Sequence, residues 1–211
     1  QAFLDTALQM TRHLAQSHDE LMAIAGRQGR TVTLCTGRTL ARTIVADWLV
    51  RLRPYLADGE LRISTRSLAD AVHDLQHGLA DFSILYHHPS LVVPLDGRQF
   101  EHVALATDRL LPVSRTDASG APMYFLEAGC APVPYIAYDR TLALGRLVED
   151  LLAHHPLAAH LKRLVECDSP DANYEYVRKG LGVSWLPWSV VHADVKSGLL
   201  APAGGKGLEV K

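Results

Sequence analysis

The amino-acid sequence repeats itself at one fixed offset. The segment 38–41, Arg-Thr-Leu-Ala, returns 102 residues later as the segment 140–143. Further identities at this offset are Pro54 with Pro156, Ser67 with Ser169, and Gly78-Leu79 with Gly180-Leu181. A period near 100 residues is too long for a solenoid, whose repeats span about 20–50 residues. It suits two similar α/β lobes that face each other, and we therefore expect a binding site in the cleft between them.

Charge and cysteine content narrow the class of protein. The 211 residues include 21 basic and 23 acidic side chains, and neither half has the basic excess of a nucleic-acid-binding surface. The three cysteines, Cys35, Cys130 and Cys167, are odd in number and lack CxxC spacing, which predicts reduced thiols in a cytoplasmic protein. No run of 18 apolar residues and no signal peptide occurs, so we expect no membrane partner. Because the first methionine is Met10, we expect the chain to be a fragment.

Strand and helix patterns alternate through both halves of the chain. Residues 3–25 predict a helix with a thin apolar stripe, interpreted as a linker helix that pairs with another chain or as a surface helix packed on the first lobe. The first lobe is predicted to contain strands 31–36, 60–66 and 81–86 and helices 40–55 and 68–77, the second helix capped by Ser67. The second lobe is predicted to contain strands 133–137, 164–167 and 183–186 and helices 141–154, 170–179 and 188–196. Such alternation predicts parallel sheets.

The connections suggest how the chain is divided. We expect a linker helix at 1–28, a first lobe at 30–107 joined by 204–211, and a second lobe at 108–203. Residues 100–114 are predicted to be an extended stretch that crosses from the first lobe into the second. Residues 208–211 look like the start of a returning strand, so we expect the first lobe to be incomplete at its C-terminal part.

Candidate ligand-binding residues follow from the topology. In an open parallel sheet, ligands bind beyond the carboxyl ends of the strands, where helix N-termini favour anions. Three arginines at helix starts could hold a carboxylate in a bidentate fork, although each could equally be solvated or bridge to a nearby acid. The residues predicted at these positions are Thr36, Gly37, Arg38, Thr39, Thr65, Arg66, Ser67, Tyr138, Asp139, Arg140 and Trp185.

The sequence gives no case for catalysis or for a metal. The pairs His87-His88 and His154-His155 are adjacent, so their rings point apart, and no HExxH or CxxC accompanies them. No GxSxG elbow, Walker loop or dinucleotide fingerprint is present. We therefore predict no catalytic residues, no metal and no cofactor, and we interpret the chain as a binding protein and not an enzyme.

Several segments resemble a known family. The block 177–187, Val-Arg-Lys-Gly-Leu-Gly-Val-Ser-Trp-Leu-Pro, is similar to the V-x-x-G-x-G-(I/V)-x-x-L-P block of LysR-type transcriptional regulators, and Ser-Gly-Leu-Leu at 197–200 fits the S-G-x-L that ends it. Residues 30–49 and 75–85 resemble the opening and the hydrophobic-x-x-G-x-x-D element of the same effector-binding domain. Residues 138–147, together with Trp185-Leu186-Pro187, also resemble a subgroup that responds to hypochlorite.

The resemblance implies an architecture and a set of partners. It implies two Rossmann-like lobes of the type 2 periplasmic-binding-protein-like fold, preceded by a linker helix, with a small anionic or polar effector in the interlobe cleft. It further implies a homodimer or tetramer and a winged helix-turn-helix, absent from this chain, that binds DNA. A solute-binding protein of a transporter is the alternative, but it should carry a secretion signal, and three unpaired thiols fit export poorly. An enzyme on the same lobes is a third reading, which would need a cleft acid or lysine with a proton-transfer partner.

Overall fold

The computed structural model describes residues 31–56, 59–129 and 131–211. The linker helix predicted at 1–28 and the thiol of Cys130 lie outside the described residues.

The first lobe is built on a three-stranded parallel sheet. Strands β1 (Thr31–Thr36), β2 (Glu60–Thr65) and β3 (Phe82–Ile84) are arranged in the order β2-β1-β3. The central strand is rich in β-branched residues, and its last three residues, Leu34, Cys35 and Thr36, are buried. The connections between these parallel strands are helical, as the alternating sequence pattern predicts.

Helix α1 follows β1 directly and is not uniform. It spans residues 38–52, with α-helical turns at Arg38–Leu40 and Ala46–Leu52 and a π-helical segment at Ala41–Val45. It ends in a 3-10 turn at Arg53–Tyr55 because the proline in this turn has no N–H to continue the helix. Helix α2 (Leu68–Gln76) then connects β2 to β3.

The second lobe repeats this pattern and adds two strands. Strands β5 (Val133–Tyr138) and β6 (Leu161–Cys167) pair in parallel, and helix α3 (Ala143–Ala153) with the 3-10 turn Pro156–His160 connects them. Helix α4 (Pro170–Arg178) leads to β7 (Ser184–Pro187), which the backbone bonds of Val183 to Pro134 and Ile136 bring beside β5. Strand β4 (Leu110–Arg115) runs antiparallel to both β7 and β8 (Leu200–Pro202), and helix α5 (Trp188–Lys196) connects these two.

The repeat in the sequence is a repeat in the structure. Strand β5 lies at the same 102-residue offset from β1 at both of its ends. Ser67 and Ser169 are the N-caps of α2 and α4, and Gly78 and Gly180 follow those helices with positive φ angles of 67° and 79°. The two-lobed α/β fold expected from the sequence is therefore confirmed.

The cores of the two lobes differ in size. The second lobe has one large cluster of buried apolar side chains, in which Trp185, Ile136 and Val148 are almost wholly inaccessible to solvent. In the first lobe, the buried cluster around β1 contains Cys35, Ala71 and Ala80. Most of the buried apolar area that holds the fold is therefore in the second lobe.

Residues 204–211, grouped by the sequence with the first lobe, lie against the second lobe. Leu208 is buried in its core, and its carbonyl accepts a bond from the Trp185 indole N–H. The strand predicted at 208–211 is reduced to a single antiparallel bridge between Val210 and Leu110, after a 3-10 turn at Lys206–Leu208. The crossing stretch predicted at 100–114 is regular only from Leu110 onward.

Candidate functional site

The residues that follow β1 are mostly occupied by their own lobe. Thr36 is fully buried, and its hydroxyl donates to the carbonyl of Ile84 in β3 at 2.8 Å. Gly37 is the N-cap of α1, Thr39 is buried on the first turn, and Arg38 is exposed. The threonine hydroxyls therefore lie at the carboxyl edge of the sheet, as the sequence predicts, but Thr36 has an internal partner.

The residues that follow β2 hold helix α2. The Arg66 Nε donates to Asp74 at 3.1 Å, and the Ser67 hydroxyl caps the helix by accepting from the Asp70 N–H at 3.1 Å. Burial opposes ionisation of Asp74, but hydrogen bonds from Arg66, Cys35 and the neighbouring histidine outweigh it and lower the pKa of this carboxyl. Thr65 is exposed. The guanidinium of Arg66 is thus paired within its own lobe.

The corresponding residues of the second lobe are arranged in a similar way. Asp139 accepts from the N–H and the hydroxyl of Thr141 at 2.7 and 2.6 Å, and these bonds lower the pKa of its carboxyl. Arg140 is exposed and forms an ion pair with Glu149 of helix α3. Two of the predicted arginines form an ion pair in the described structure. Each of these ion pairs lies within one lobe and does not reach the other lobe.

The predicted aromatic residues of the second lobe are deeply buried. Trp185 belongs to the core, where its indole meets the Tyr135 ring edge-on, with 5.6 Å between the ring centroids. Tyr138, the last residue of β5, is 2% exposed, and its hydroxyl has no hydrogen-bond partner among the described residues. Burial raises the pKa of Tyr138 well above its ordinary value, so the phenol stays protonated and is a potential donor.

A second phenol without a partner comes from the first-lobe side. Tyr86 lies two residues after β3 and packs against the second-lobe core cluster that contains Tyr138. Its buried hydroxyl has no partner in the part of the chain that the structure describes. Burial also raises the pKa of Tyr86. The rule that ligands bind after the carboxyl ends of strands would have selected Tyr86, but the sequence analysis assigned this residue to the strand itself.

An ion pair between the lobes is made by residues that the sequence analysis did not select. Arg42 of α1 forms an ion pair with Asp171 of α4 at 2.9 Å, and its guanidinium lies over the Tyr174 ring, 4.9 Å from the centroid. Helical periodicity alone cannot show which exposed arginine on α1 faces the other lobe, because that depends on how the lobes pack.

Other kinds of site find little support. In the part of the chain that the structure describes, no three His, Cys, Asp or Glu side chains are grouped to hold a metal ion, and no helix is long and apolar enough to cross a membrane. A surface depression of about 670 Å³ on the second lobe is lined by Arg115, Met123, Lys179 and Gly198, among others. None of the residues predicted from the sequence lines this depression.

Two lobes of repeated topology, with buried polar groups where they meet, define a ligand-binding domain of the periplasmic-binding-protein-like class. Residues 25–209 match the family model of the LysR substrate binding domain, and the chain belongs to that family. The resemblance seen in the sequence is thereby confirmed.

Relatives of this chain are transcriptional regulators. It is 23% identical over 193 residues to the HTH-type transcriptional regulator YjiE of Escherichia coli (strain K12), covering 90% of this chain and 60% of YjiE. It is equally similar to the HTH domain-truncated transcriptional regulator QseD of Escherichia coli O157:H7, of which it covers 76%. The chain therefore spans three fifths of the length of YjiE.

Solved structures share the fold. The regulatory domain of HypT from Salmonella typhimurium, in its apo form, superposes with a TM-score of 0.73 at 21% identity, covering 87% of this chain and 83% of that domain. The same HypT domain with a bromide ion bound gives a TM-score of 0.71 at 20% identity, with coverages of 87% and 82%.

Proposed function

We propose that this domain binds a small polar effector between its lobes and that two tyrosine hydroxyls, of Tyr86 and Tyr138, donate hydrogen bonds to it. The single observation that carries the proposal is that both hydroxyls are buried without a hydrogen-bond partner among the residues that the structure describes. A buried polar group without a partner costs about 1–3 kcal/mol, so it calls for an explanation. A bound acceptor would satisfy both groups.

The donors favour one class of effector. Protonated phenols offer O–H groups to a halide, a carboxylate or another acceptor, and the raised pKa of each phenol keeps the proton in place at neutral pH. The bromide-bound HypT domain supports a small anion as a first probe. The bidentate fork expected from Arg38, Arg66 and Arg140 stays a separate prediction, as do the other ligand residues named from the sequence.

Titration calorimetry with sodium bromide and a panel of short monocarboxylates tests the proposal. We expect Tyr86→Phe and Tyr138→Phe each to weaken binding of these anions roughly ten- to a hundredfold, the value of one hydrogen bond to a charged group. Tyr55→Phe is the matched control because Tyr55 is 83% exposed. Unchanged affinity in both phenol variants, with a loss in Arg38→Ala and Arg140→Ala, would favour the arginine fork instead.

The proposal extends to transcription. The relatives YjiE and QseD are named as transcriptional regulators. We propose that this domain reports its effector to a winged helix-turn-helix outside these 211 residues, in the cytoplasm and without catalysis. A promoter-binding assay on the full-length gene product, with and without the effector found by calorimetry, tests this coupling. Equal promoter affinity in both states would contradict it.

The outer strands support the proposal of a homodimer, or a tetramer built from it. Strands β2 and β6 are the outer strands of their pairings. Exposed apolar side chains occur in the helix and turn that precede β2 in the chain and within β6, with Trp48 41%, Tyr55 83% and Leu164 56% exposed. We propose that the first lobe of one copy packs beside the second lobe of another in antiparallel fashion, which would cover both edges.

Sedimentation of the chain and of paired variants tests the assembly. We expect a dimer, and we expect Tyr55→Asp with Leu164→Asp to shift it toward monomer. Val92→Asp is the control, because Val92 is 79% exposed and lies in the segment after β3, outside both outer strands and outside the helix and turn that precede β2. A monomeric wild-type chain at every concentration would count against the dimer.

A further inference from the structure

One guanidinium of the first lobe makes two contacts with the second lobe, in addition to the packing of Tyr86 on the second-lobe core and the bond from the Ser90 hydroxyl to Asp150. The Arg42 Nη1 lies 2.9 Å from the Asp171 carboxylate, with the two side chains 39% and 45% exposed. The same guanidinium lies 4.9 Å from the centroid of the Tyr174 ring. One side chain of the first lobe thus contacts a charge and an aromatic face of the second.

Local helix geometry presents Arg42 to the second lobe. It belongs to the π-helical segment Ala41–Val45, where α1 is wider than an α-helix. In this segment the Thr43 hydroxyl donates back to the Thr39 carbonyl at 2.9 Å, and Val45 is fully buried. Single π-helical turns are rare and concentrate at functional positions. The local structure therefore fixes the backbone on both sides of Arg42 and determines where its side chain begins.

The second lobe holds its half of the contact in place. The Tyr174 hydroxyl donates to Asp194 of α5 at 2.6 Å, and the Arg178 guanidinium also lies by the ring, 5.4 Å from the centroid. Arg178 is in turn paired with Glu175 at 3.1 Å. Because these partners fix the ring, Arg42 docks on a surface that needs little rearrangement.

We propose that Arg42, Asp171 and Tyr174 form a clasp that holds the two lobes closed and so regulates access of the effector to the site between them. This role in regulation rests on the proposed function, whereas the closure itself does not. An ion pair and a cation–π contact at half-exposed positions are individually weak. When two lobes open and close, however, the free energy of these two contacts contributes directly to the free-energy difference between the open and closed forms.

Electron paramagnetic resonance distances test the clasp in the effector-free protein. Spin-labelled noncanonical amino acids at Ala69 of α2 and Ala193 of α5, both exposed, report the interlobe distance without disturbing the native thiols. Labelled protein is diluted with unlabelled protein so that only distances within one chain are observed. We expect Arg42→Glu and Asp171→Arg each to increase the open-to-closed ratio about two- to tenfold.

Exchanging the charges of Arg42 and Asp171 distinguishes loss of the clasp from a general loss of stability. The double variant Arg42→Glu with Asp171→Arg should return the distance distribution toward that of the wild type. Asp47→Arg is the control, because it makes the same charge change as Asp171→Arg at an exposed position on α1 that is not part of the clasp. Tyr174→Leu should widen the distribution as well, through loss of the cation–π contact.

Two outcomes would overturn the clasp. One is a single unchanged distance in Arg42→Glu and Asp171→Arg. The other is an equal widening in Asp47→Arg and in the double variant. Failure of bromide and the carboxylates to bind would remove the proposed effector, yet the distance measurement would still decide the clasp.

Discussion

Ser67 and Ser169, 102 residues apart, cap two equivalent helices with the same bond. The Ser67 hydroxyl oxygen accepts from the Asp70 N–H at 3.1 Å, and the Ser169 oxygen accepts from the Ala172 N–H at 3.3 Å. Each cap fixes the point at which the chain leaves a parallel strand and enters a helix. The two lobes therefore share the N-terminal capping of these helices as well as the order of their strands.

Removing either cap should destabilise the fold. We expect Ser67→Ala and Ser169→Ala each to lower the free energy of unfolding by about 1 kcal/mol, because one helix N–H loses its acceptor. Urea denaturation followed by circular dichroism measures the change. Ser67→Thr and Ser169→Thr keep the hydroxyl and serve as controls. Equal losses in the threonine and alanine variants would contradict the capping role.

Gly145 should not tolerate a side chain. A Cβ at this buried position in α3 would overlap the Asp139 carbonyl oxygen. We expect Gly145→Ala to cost about 1–3 kcal/mol, because backbone has to move to relieve the overlap. A Cβ at Gly97 would meet open space, so Gly97→Ala is the control and should change stability by less than about 0.5 kcal/mol. Thermal denaturation of both variants gives the comparison.

Stability and binding should respond in opposite ways at Tyr138. Because its hydroxyl has no partner within residues 31–56, 59–129 and 131–211, Tyr138→Phe should leave the effector-free protein unchanged or up to about 1 kcal/mol more stable. Tyr174→Phe should instead lose about 1 kcal/mol, because the Tyr174 hydroxyl donates to Asp194. Chemical denaturation without effector measures both. A clear loss in Tyr138→Phe would show that its hydroxyl has a partner in solution.

The Asp74 carboxyl should make the first lobe sensitive to acid. Its pKa is lowered in the folded protein from the ordinary 3.8, so folding is stabilised by its ionised form above about pH 3.8. This contribution is lost as the pH falls through the folded pKa, because the unfolded chain then binds the proton more tightly. The free energy of unfolding measured between pH 2 and 6 should fall less steeply in Asp74→Asn than in the wild type. Asp47→Asn, at an exposed position on α1, should behave like the wild type.

The fold could be predicted largely from local patterns, and the structure shows why. The alternation of strand and helix, the serine caps and the glycine helix ends depend on residues within a few positions of one another. Pro54 ends α1 in a 3-10 turn through its own missing N–H. The linear order of elements also sets the parallel pairing, because helical crossovers return each strand in the same direction.

The candidate site was decided by tertiary structure. Arg38, Arg66 and Arg140 stand where the sequence placed them, at the ends of strands, but Arg66 and Arg140 pair with Asp74 and Glu149 of their own lobes. Sequence spacing cannot predict these ion pairs, because a long side chain can reach several partners and its tertiary surroundings determine which one it contacts.

By itself, the sequence determined two similar lobes, their caps, their helix ends and membership of the LysR substrate binding domain family. Those features depend on short-range backbone preferences and on residues at fixed spacing. Only the tertiary structure determined that Arg42 reaches Asp171, and that Tyr86 and Tyr138 bury hydroxyls without partners. These features depend on the angle between the two packed lobes. Residues far apart in the chain determine that angle jointly.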